Sequence, residues 1–381
     1  MKHARWMQWM LALALLVAPS AALGDKLPEP PPPADNAAVW YLTAQYYLLS
    51  TDSEEKQALL KQYRAPDLEV ARKYVEQSDA VIVLRRGATL QQCGWAVDLK
   101  ADGPNALLPH LSMMREMSRL MAVSGRVQLE DGNADGAISD WAAMMRMARH
   151  SADDGTLIGC LVQHAIDRSA IEVIADHLHR LDRKELETFD KHLADLPKRF
   201  TVQDAIAGEA MIGHWLRREY KTLGLQGFIN LVGEVDQDLF KGIKPEQRDE
   251  KMQQWLDELD ASYIRIYGIL GLEGEAFAKA NAKYEEEIVA SKNPLIRILM
   301  PAIGSARTAE RRAQALHGML RAMVAYRLGS DDAFNAVLDP ADGKPFDRVL
   351  TEAGLVVSSR MMRRDKALSL TFDPEAAKPL D

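Results

Sequence analysis

The stretch that decides the fold runs from Leu107 to His150 and reads LLPHLSMMREMSRLMAVSGRVQLEDGNADGAISDWAAMMRMARH. Apolar residues recur here every three or four positions, the period of a helix with one core-facing side. The spacing predicts a helix from Pro104 to Leu129, a turn over residues 130–133 and a second helix from Ala134 to His150. The first stripe consists of Leu107, Leu108, Leu111, Met114, Met117, Leu120 and Met121. Its methionines are interpreted as core filling rather than as copper ligands.

The flanking sequence is also mainly helical. We predict helices over residues 54–63, 67–78, 157–178, 183–194, 202–221, 245–270, 274–290 and 303–328, and a first helix through Trp40 and Leu48 that Asp35 caps. Short β-like runs follow at 346–351, 355–360 and 368–372. The predicted fold is therefore mainly α, with stacked or bundled antiparallel helical hairpins and a small C-terminal antiparallel β element. The predicted divisions are a helical domain over 35–200, a second helical region over 201–330 and the β element over 331–375.

An export signal is predicted over residues 1–24. Lys2 and Arg5 give it a positive start, an apolar run from Trp6 to Ala18 follows, and small residues lead to a cleavage site. Residues 25–34 form a proline-rich linker, and no later segment reaches ~18 consecutive apolar residues. We therefore expect a soluble periplasmic or extracellular protein without stable membrane insertion after cleavage.

Charge and cysteine content exclude several classes of protein. The chain of 381 residues carries a net charge of −8, so it lacks the positive field that holds nucleic acid. With two cysteines it cannot be a disulfide-rich scaffold or hold a four-cysteine metal site. Cys93 and Cys160 enter an oxidising space if the chain is exported, so the sequence allows either one disulfide or two separate thiols.

The helical pair of the opening stretch resembles a tetratricopeptide repeat. Gly125, Gly132, Ala137 and Trp141 stand at the spacings of the small residues and the aromatic of that repeat. A generic helical hairpin is the alternative, because no second copy occurs at a period of 34 residues and an array needs several stacked units.

A wider pattern resembles a group of uncharacterised exported α-rich proteins of planctomycetes and similar bacteria. The segments that carry this resemblance are 93–95, 107–111, 129–132, 146–150, 156–159, 164–166 and the turn Asp339 to Phe346. The resemblance implies export and an α-rich fold. It implies no activity and no catalytic residues.

A polar cluster is the candidate for chemistry. His150, Asp153 and Asp154 lie at a predicted helix junction, and His164 follows about three turns later. Asp153 or Asp154 is interpreted as the cap of the helix that begins there. The sequence contains no nucleophile elbow, no phosphate-binding glycine loop and no helical pair of histidines at metal-ligand spacing. We predict no metal and no cofactor.

Three functions remain open from the sequence. The first is an exported helical scaffold that binds another protein or an envelope component, with Trp95, Arg126, Arg146 and Arg149 as candidate surface anchors. The second is an α-rich hydrolytic enzyme that uses the His/Asp cluster. The third is a carrier of a small apolar ligand between helices.

Overall fold

The computed structural model describes residues 35–50, 53–232, 240, 242–300, 303–363 and 365–380. The fold is mainly α with a small antiparallel sheet near the C-terminus, as the sequence predicts. The predicted export signal and the linker lie outside the described residues. Within the described ranges, no helix combines the length and the apolar character needed to cross a bilayer.

The helices are numbered in chain order from the first described one. They are α1 (Ala37–Ser50), α2 (Glu54–Lys61), α3 (Leu68–Glu76), α4 (Asp79–Thr89), α5 (Leu99–Asp102), α6 (Pro109–Glu130), α7 (Ala134–Ser151), α8 (Leu157–His177), α9 (Arg183–Ala194), α10 (Val202–Val232), α11 (Arg248–Leu270), α12 (Gly274–Ala290), α13 (Pro294–Leu299), α14 (Ile303–Leu328) and α15 (Asp331–Asn335). Short 3-10 turns occur at Gly103–Asn105, Leu178–Arg180, Pro245–Gln247 and Pro374–Ala377. α10 bends at Gly224, whose φ of 64° is not helical.

The α6–α7 hairpin is the centre of the first core. Trp141 is fully buried, and its ring lies where a Cβ at Gly125 would approach within 2.7 Å of the indole nitrogen. Glycine is therefore what lets these two helices pack so closely. The methionines of the hairpin are buried, which confirms their interpretation as core residues; they are Met113, Met114, Met117, Met121, Met144, Met145 and Met147. Membership of the tetratricopeptide family remains a prediction.

Two hydrophobic cores exist among the described residues. The first contains α1 to α4, the α6–α7 hairpin, most of α8, α9 and the sheet. The second contains α10 to α13 together with Cys160. α14 contributes to both cores, because Ile303 and Ala306 pack in the second core and residues 315–326 pack in the first. The boundary between the two cores therefore falls within α14, and the predicted domain divisions remain predictions.

The sheet has the strand order β1 (Asp347–Thr351), β2 (Gly354–Arg363) and β3 (Lys366–Phe372), all antiparallel. Its buried side chains pack on α8 and α14. The carboxylate of buried Asp339 accepts hydrogen bonds from the Ser359 hydroxyl and the Arg360 backbone amide, both at 2.9 Å. The turn that precedes the sheet is thereby fixed to β2.

Several helix ends differ from the predicted ones. α6 begins at Pro109 rather than at Pro104, which lies in a separate 3-10 turn, and Leu107 is 84% exposed instead of core. At α1 the amide of Ala38 donates to the side chain of Asn36, so Asn36 takes the position predicted for Asp35. α4 is not predicted at all, although it packs against α1.

Candidate functional site

Two neighbouring cavities lie along α6, one between α6 and α1 and the other between α6, α2 and the end of α1. Their volumes are about 670 Å³ and 430 Å³, and both are lined by Ser112 and Glu116 of α6. The two cavities meet at these two side chains, and together we call them the α1/α6 groove. Its further lining includes Leu42, Gln45, Leu49, Lys56, Lys61, Trp95, Asp102, Asn105, Leu107, His110, Met113, Arg115 and Arg119.

α1 forms one wall of the groove because it is apolar on two faces. One face buries Tyr41, Ala44 and Leu48 in the first core. A neighbouring face carries Leu42 and Leu49, seven residues and two helical turns apart, which are 57% and 62% exposed. An apolar stripe that faces solvent next to a cavity is typical of a surface that a partner covers.

Trp95 closes one end of the groove. Its ring stacks on that of His110 at 4.5 Å between centroids, and its indole N–H donates to the His150 carbonyl at 2.6 Å. The loop that carries it is tied to the start of α1, because the side chain of Asn36 bonds both the N–H and the C=O of Gly94. Ala96, on the cavity wall, has a φ of 56°, a conformation that non-glycine residues rarely adopt.

His110 is held from behind by a carboxylate. Its Nε2 lies 2.9 Å from Oδ2 of Asp154, and both side chains are buried at the cavity wall or behind it. The other oxygen of Asp154 accepts from the backbone N–H and the hydroxyl of Thr156. Thr156 in turn caps α8, since its hydroxyl accepts from the Gly159 amide. The predicted cap at Asp153 or Asp154 is therefore wrong by two or three residues.

His150 belongs to the same wall but not to the cavity surface. The Tyr41 hydroxyl lies 2.6 Å from its Nδ1. Burial lowers the pKa of His150 to about 4, so the imidazole is neutral at neutral pH. Nearby Asp153 remains partly solvent-exposed, yet desolvation and the adjacent charge of Asp154 raise its pKa to about 7.

The other end of the groove is basic. Lys61, Arg115 and Arg119 line it, and none of them forms an ion pair within the part of the chain that the structure describes. Between the two ends, Lys56 Nζ lies 3.2 Å from Glu116 Oε1 and donates to the Leu48 carbonyl at 2.9 Å. This buried lysine ties α2 to both walls of the groove.

The predicted surface anchors lie in different environments. Trp95 lines the groove, whereas Arg126 is half-buried and pairs with Glu130. Arg146 is half-buried on α7 and lines neither cavity of the groove. Arg149 is not at the surface, because it is buried and bonds both carboxylate oxygens of Asp167 at 2.7 Å. Trp95 is thus the one predicted anchor that borders the groove.

The members of the predicted polar cluster have different hydrogen-bond partners. His150, Asp153 and Asp154 lie around the groove wall, but His164 contacts Cys160, with 3.5 Å between Nε2 and Sγ. Burial raises the pKa of the Cys160 thiol and lowers that of His164 to about 4. Both groups are therefore neutral, which does not suit a thiolate nucleophile. Cys93 and Cys160 are both buried and unbridged.

Most groups that shape the groove are not among the predicted site residues. They include His110, Glu116, Lys61 and Arg115. The available signal was weak: Ser112, Glu116 and Arg119 repeat with helical spacing on α6, beside the methionine stripe. Such a polar stripe is normally a solvated helix face, and only the neighbouring α1 turns it into a groove wall.

The chain matches no family model, and no curated protein or solved structure is found to be similar to it.

Proposed function

We propose that this chain is an exported helical binding protein whose α1/α6 groove holds a short extended segment of a partner protein. The observation that carries the proposal is the adjacency of two cavities along α6, with the exposed side chains of Leu42 and Leu49 on α1 and basic side chains at one end. The export part rests on the charge and hydropathy pattern of residues 1–24.

The dimensions of the groove suit a peptide. From His110 to Arg119, α6 advances about 13 Å at ~1.5 Å per residue. An extended chain covers that length with about four residues at ~3.3 Å each. The apolar wall offers contacts to alternate side chains, and Glu116 and Ser112 offer hydrogen-bonding groups along the opposite wall.

The charge at the basic end of the groove indicates the kind of partner. The unpaired basic side chains of Lys61, Arg115 and Arg119 favour an acidic group at one end of the bound segment. We therefore infer an apolar segment that ends in acidic residues or in a C-terminal carboxylate.

The test uses two fluorescein-labelled hexapeptides and the full chain. One peptide has three leucines followed by three aspartates, and the other has three leucines followed by three lysines. Fluorescence anisotropy should show saturable binding of the acidic peptide, weakened by added salt, and much weaker binding of the basic one. The double variant Lys61→Glu, Arg115→Glu should weaken acidic-peptide binding at least tenfold.

Two control variants separate the groove from general surface effects. Lys279→Glu reverses an exposed charge on α12, and Ile264→Ser removes an exposed side chain on α11; neither should change binding. Leu42→Ser, on the apolar wall, should weaken it. Equal binding of both peptides, or full binding by the double charge variant, would count against the groove as a peptide site.

Hydrolysis is the second candidate function. The His110–Asp154 pair has the geometry in which a carboxylate orients a general base, and His110 lines the larger cavity. Among the described residues, no serine or cysteine hydrogen-bonds to His110, so the attacking group would be water. A wild-type chain that cleaves 4-nitrophenyl acetate no faster than its His110→Gln variant would remove this candidate.

Carriage of a small apolar ligand has less support. The larger cavity includes Asp102, Asn105 and Glu116 in its lining, and the methionine-rich core beneath it is closely filled. A purely apolar ligand would leave those polar groups without partners.

A further inference from the structure

A second cluster of ligand-type side chains lies away from the groove. His179 stands in the 3-10 turn after α8, and Asp373 and Glu375 stand just after β3. One ligand atom from each of these three residues lies within 4.8 Å of the other two. His179 is far from the two carboxylates in the sequence, so no spacing motif reveals this arrangement.

The two segments that carry the cluster are held together by one buried side chain. Arg327 of α14 is 3% exposed, and its guanidinium donates to the carbonyls of His179 and Leu181 on one side. On the other side it donates to the carbonyls of Glu375 and Lys378. The backbone positions of the three candidate ligands are therefore fixed relative to one another by the protein itself.

The side chains on either side of the two carboxylates are anchored as well. Phe372 and Ala376 are both buried in the first core. Asp373 uses Oδ1 to accept from the Glu375 amide at 2.9 Å. This leaves Oδ2, the oxygen nearer to His179, without a hydrogen bond inside the described chain.

His179 supplies the observation that points to a ligand. Its Nδ1 is shielded from solvent and has no hydrogen-bond partner among the described residues. The nearest carboxylate oxygen, Oδ2 of Asp373, is 4.0 Å away, which is too long for a hydrogen bond. A buried ring nitrogen without a partner is unfavourable, and a cation between these two atoms would satisfy both.

We propose that His179, Asp373 and Glu375 bind a divalent transition metal of the zinc type, which fastens the C-terminal segment to the end of α8. Two ligands that each bind one zinc ion at ~2.0–2.2 Å lie about 3–4 Å apart, close to the separation of these groups. The imidazole nitrogen favours zinc and similar ions over magnesium and calcium, which prefer all-oxygen sites.

The local charge is compatible with a cation. Two carboxylates stand against the single positive charge of Arg327, whose donors are directed at backbone carbonyls. The Asp373 side chain is 37% exposed, which leaves a path for the ion and for water as a further ligand. Three protein ligands and one water complete a tetrahedral zinc site.

The experiment measures zinc uptake by the full chain after its purification tag has been removed and metals have been stripped with EDTA. Calorimetric titration with ZnCl2 at pH 7.5 should give one ion per chain, and MgCl2 and CaCl2 should give no comparable binding. Glu375→Gln should lower the zinc affinity at least tenfold; its exposed side chain makes this variant safe for folding. His179→Gln should do the same.

The matched control is His214→Gln, which removes an exposed histidine on α10. It should leave the stoichiometry and affinity unchanged. Zinc should also raise the thermal unfolding midpoint of the wild type but not of Glu375→Gln, because a ligand stabilises only the state that binds it. Absence of stoichiometric zinc binding, or zinc binding by Glu375→Gln as tight as by the wild type, would overturn the proposal. Neither result would bear on the peptide groove.

Discussion

Gly125 shows at the scale of one residue how close the central helices lie. A methyl group at this position would meet the indole nitrogen of Trp141 at 2.7 Å and its Cδ1 at 2.9 Å. Because the Trp141 ring is fully buried, it has no free space into which to move.

Gly125→Ala should therefore destabilise the protein by about 1–3 kcal/mol through overpacking, despite the better helix propensity of alanine. The loss of stability is measured by urea unfolding followed by circular dichroism. Gly268→Ala is the matched control, because Gly268 lies within α11 and nothing lies within 4 Å of an added Cβ. The control should be stabilised by about 0.5–1 kcal/mol. If both variants shift the same way, close packing at Gly125 is not the cause.

Asp167 is the counter-ion of Arg149 and Arg199. It is fully buried, bonds Arg149 at 2.7 Å and lies 3.0 Å from Arg199. Burial by itself would raise the pKa of Asp167, but the charges of Arg149 and Arg199 outweigh it and lower that pKa. The carboxylate is therefore ionised at neutral pH.

Asp167→Asn should cost about 3–5 kcal/mol, because it removes the carboxylate that pairs with the buried guanidinium group of Arg149. The exposed pair of Arg64 and Asp176 is the comparison, and Arg64→Met should cost at most about 1 kcal/mol. Both changes in the free energy of unfolding are measured by urea unfolding at pH 7. An Asp167→Asn variant as stable as Arg64→Met would show that the buried arginines find other partners.

At the scale of elements, the sequence predicts a helix whose signals are local. It does not predict a helix that depends on packing against a neighbouring element. The α6–α7 hairpin is predicted because its apolar stripe and its turn residues agree. α4 is missed because the β-branched residues Val81, Ile82 and Val83 weaken helix propensity, and packing against α1 stabilises it instead. The start of α6 is misplaced because Pro104 and Pro109 both suit a first helical turn.

Capping gives a prediction at this scale. At the start of α9, the side chain of Asp182 accepts from the Glu185 amide, and the Glu185 side chain accepts from the Asp182 amide. Asp182→Ala should therefore cost about 1 kcal/mol. Ser78 precedes α4 without any such hydrogen bond, so Ser78→Ala should stay within about 0.5 kcal/mol of the wild type. The stability of both variants is measured by thermal unfolding. Equal losses of stability would contradict the capping role of Asp182.

At the scale of the whole molecule, the candidate site could be predicted only in part. Trp95 and His150 are singled out by their residue type, and the fold does place them on one wall. His110 and Asp154 are 44 positions apart, and Tyr41 and His150 are 109 apart, so their contacts depend on how distant helices pack. A single sequence contains no local signal for such pairs.

Buried histidines make the stability of the whole molecule depend on pH. Burial lowers the pKa of each of His150, His164, His177 and His317 to about 4, against about 6.5 for an unfolded chain. Between these pH values the unfolded chain binds more protons than the folded one. Stability is therefore complete above about pH 6.5 and is lost as the pH falls toward 4.

The free energy of unfolding should fall from pH 7.5 to pH 4.5, with a slope of at most about 1.4 kcal/mol per pH unit for each histidine, and the urea midpoint should fall with it. Asp153 opposes this trend, since its raised pKa adds stability as the pH falls below 7, and the raised pKa values of the Asp140, Asp176 and Glu209 carboxyl groups act in the same direction. His317→Gln should flatten the slope of the unfolding free energy by at most about 1.4 kcal/mol per pH unit, because it removes one histidine contribution. His214→Gln, at an exposed site, should leave the slope unchanged. A midpoint that does not move between pH 7.5 and pH 5.5 would contradict the net loss of stability expected from these four imidazoles.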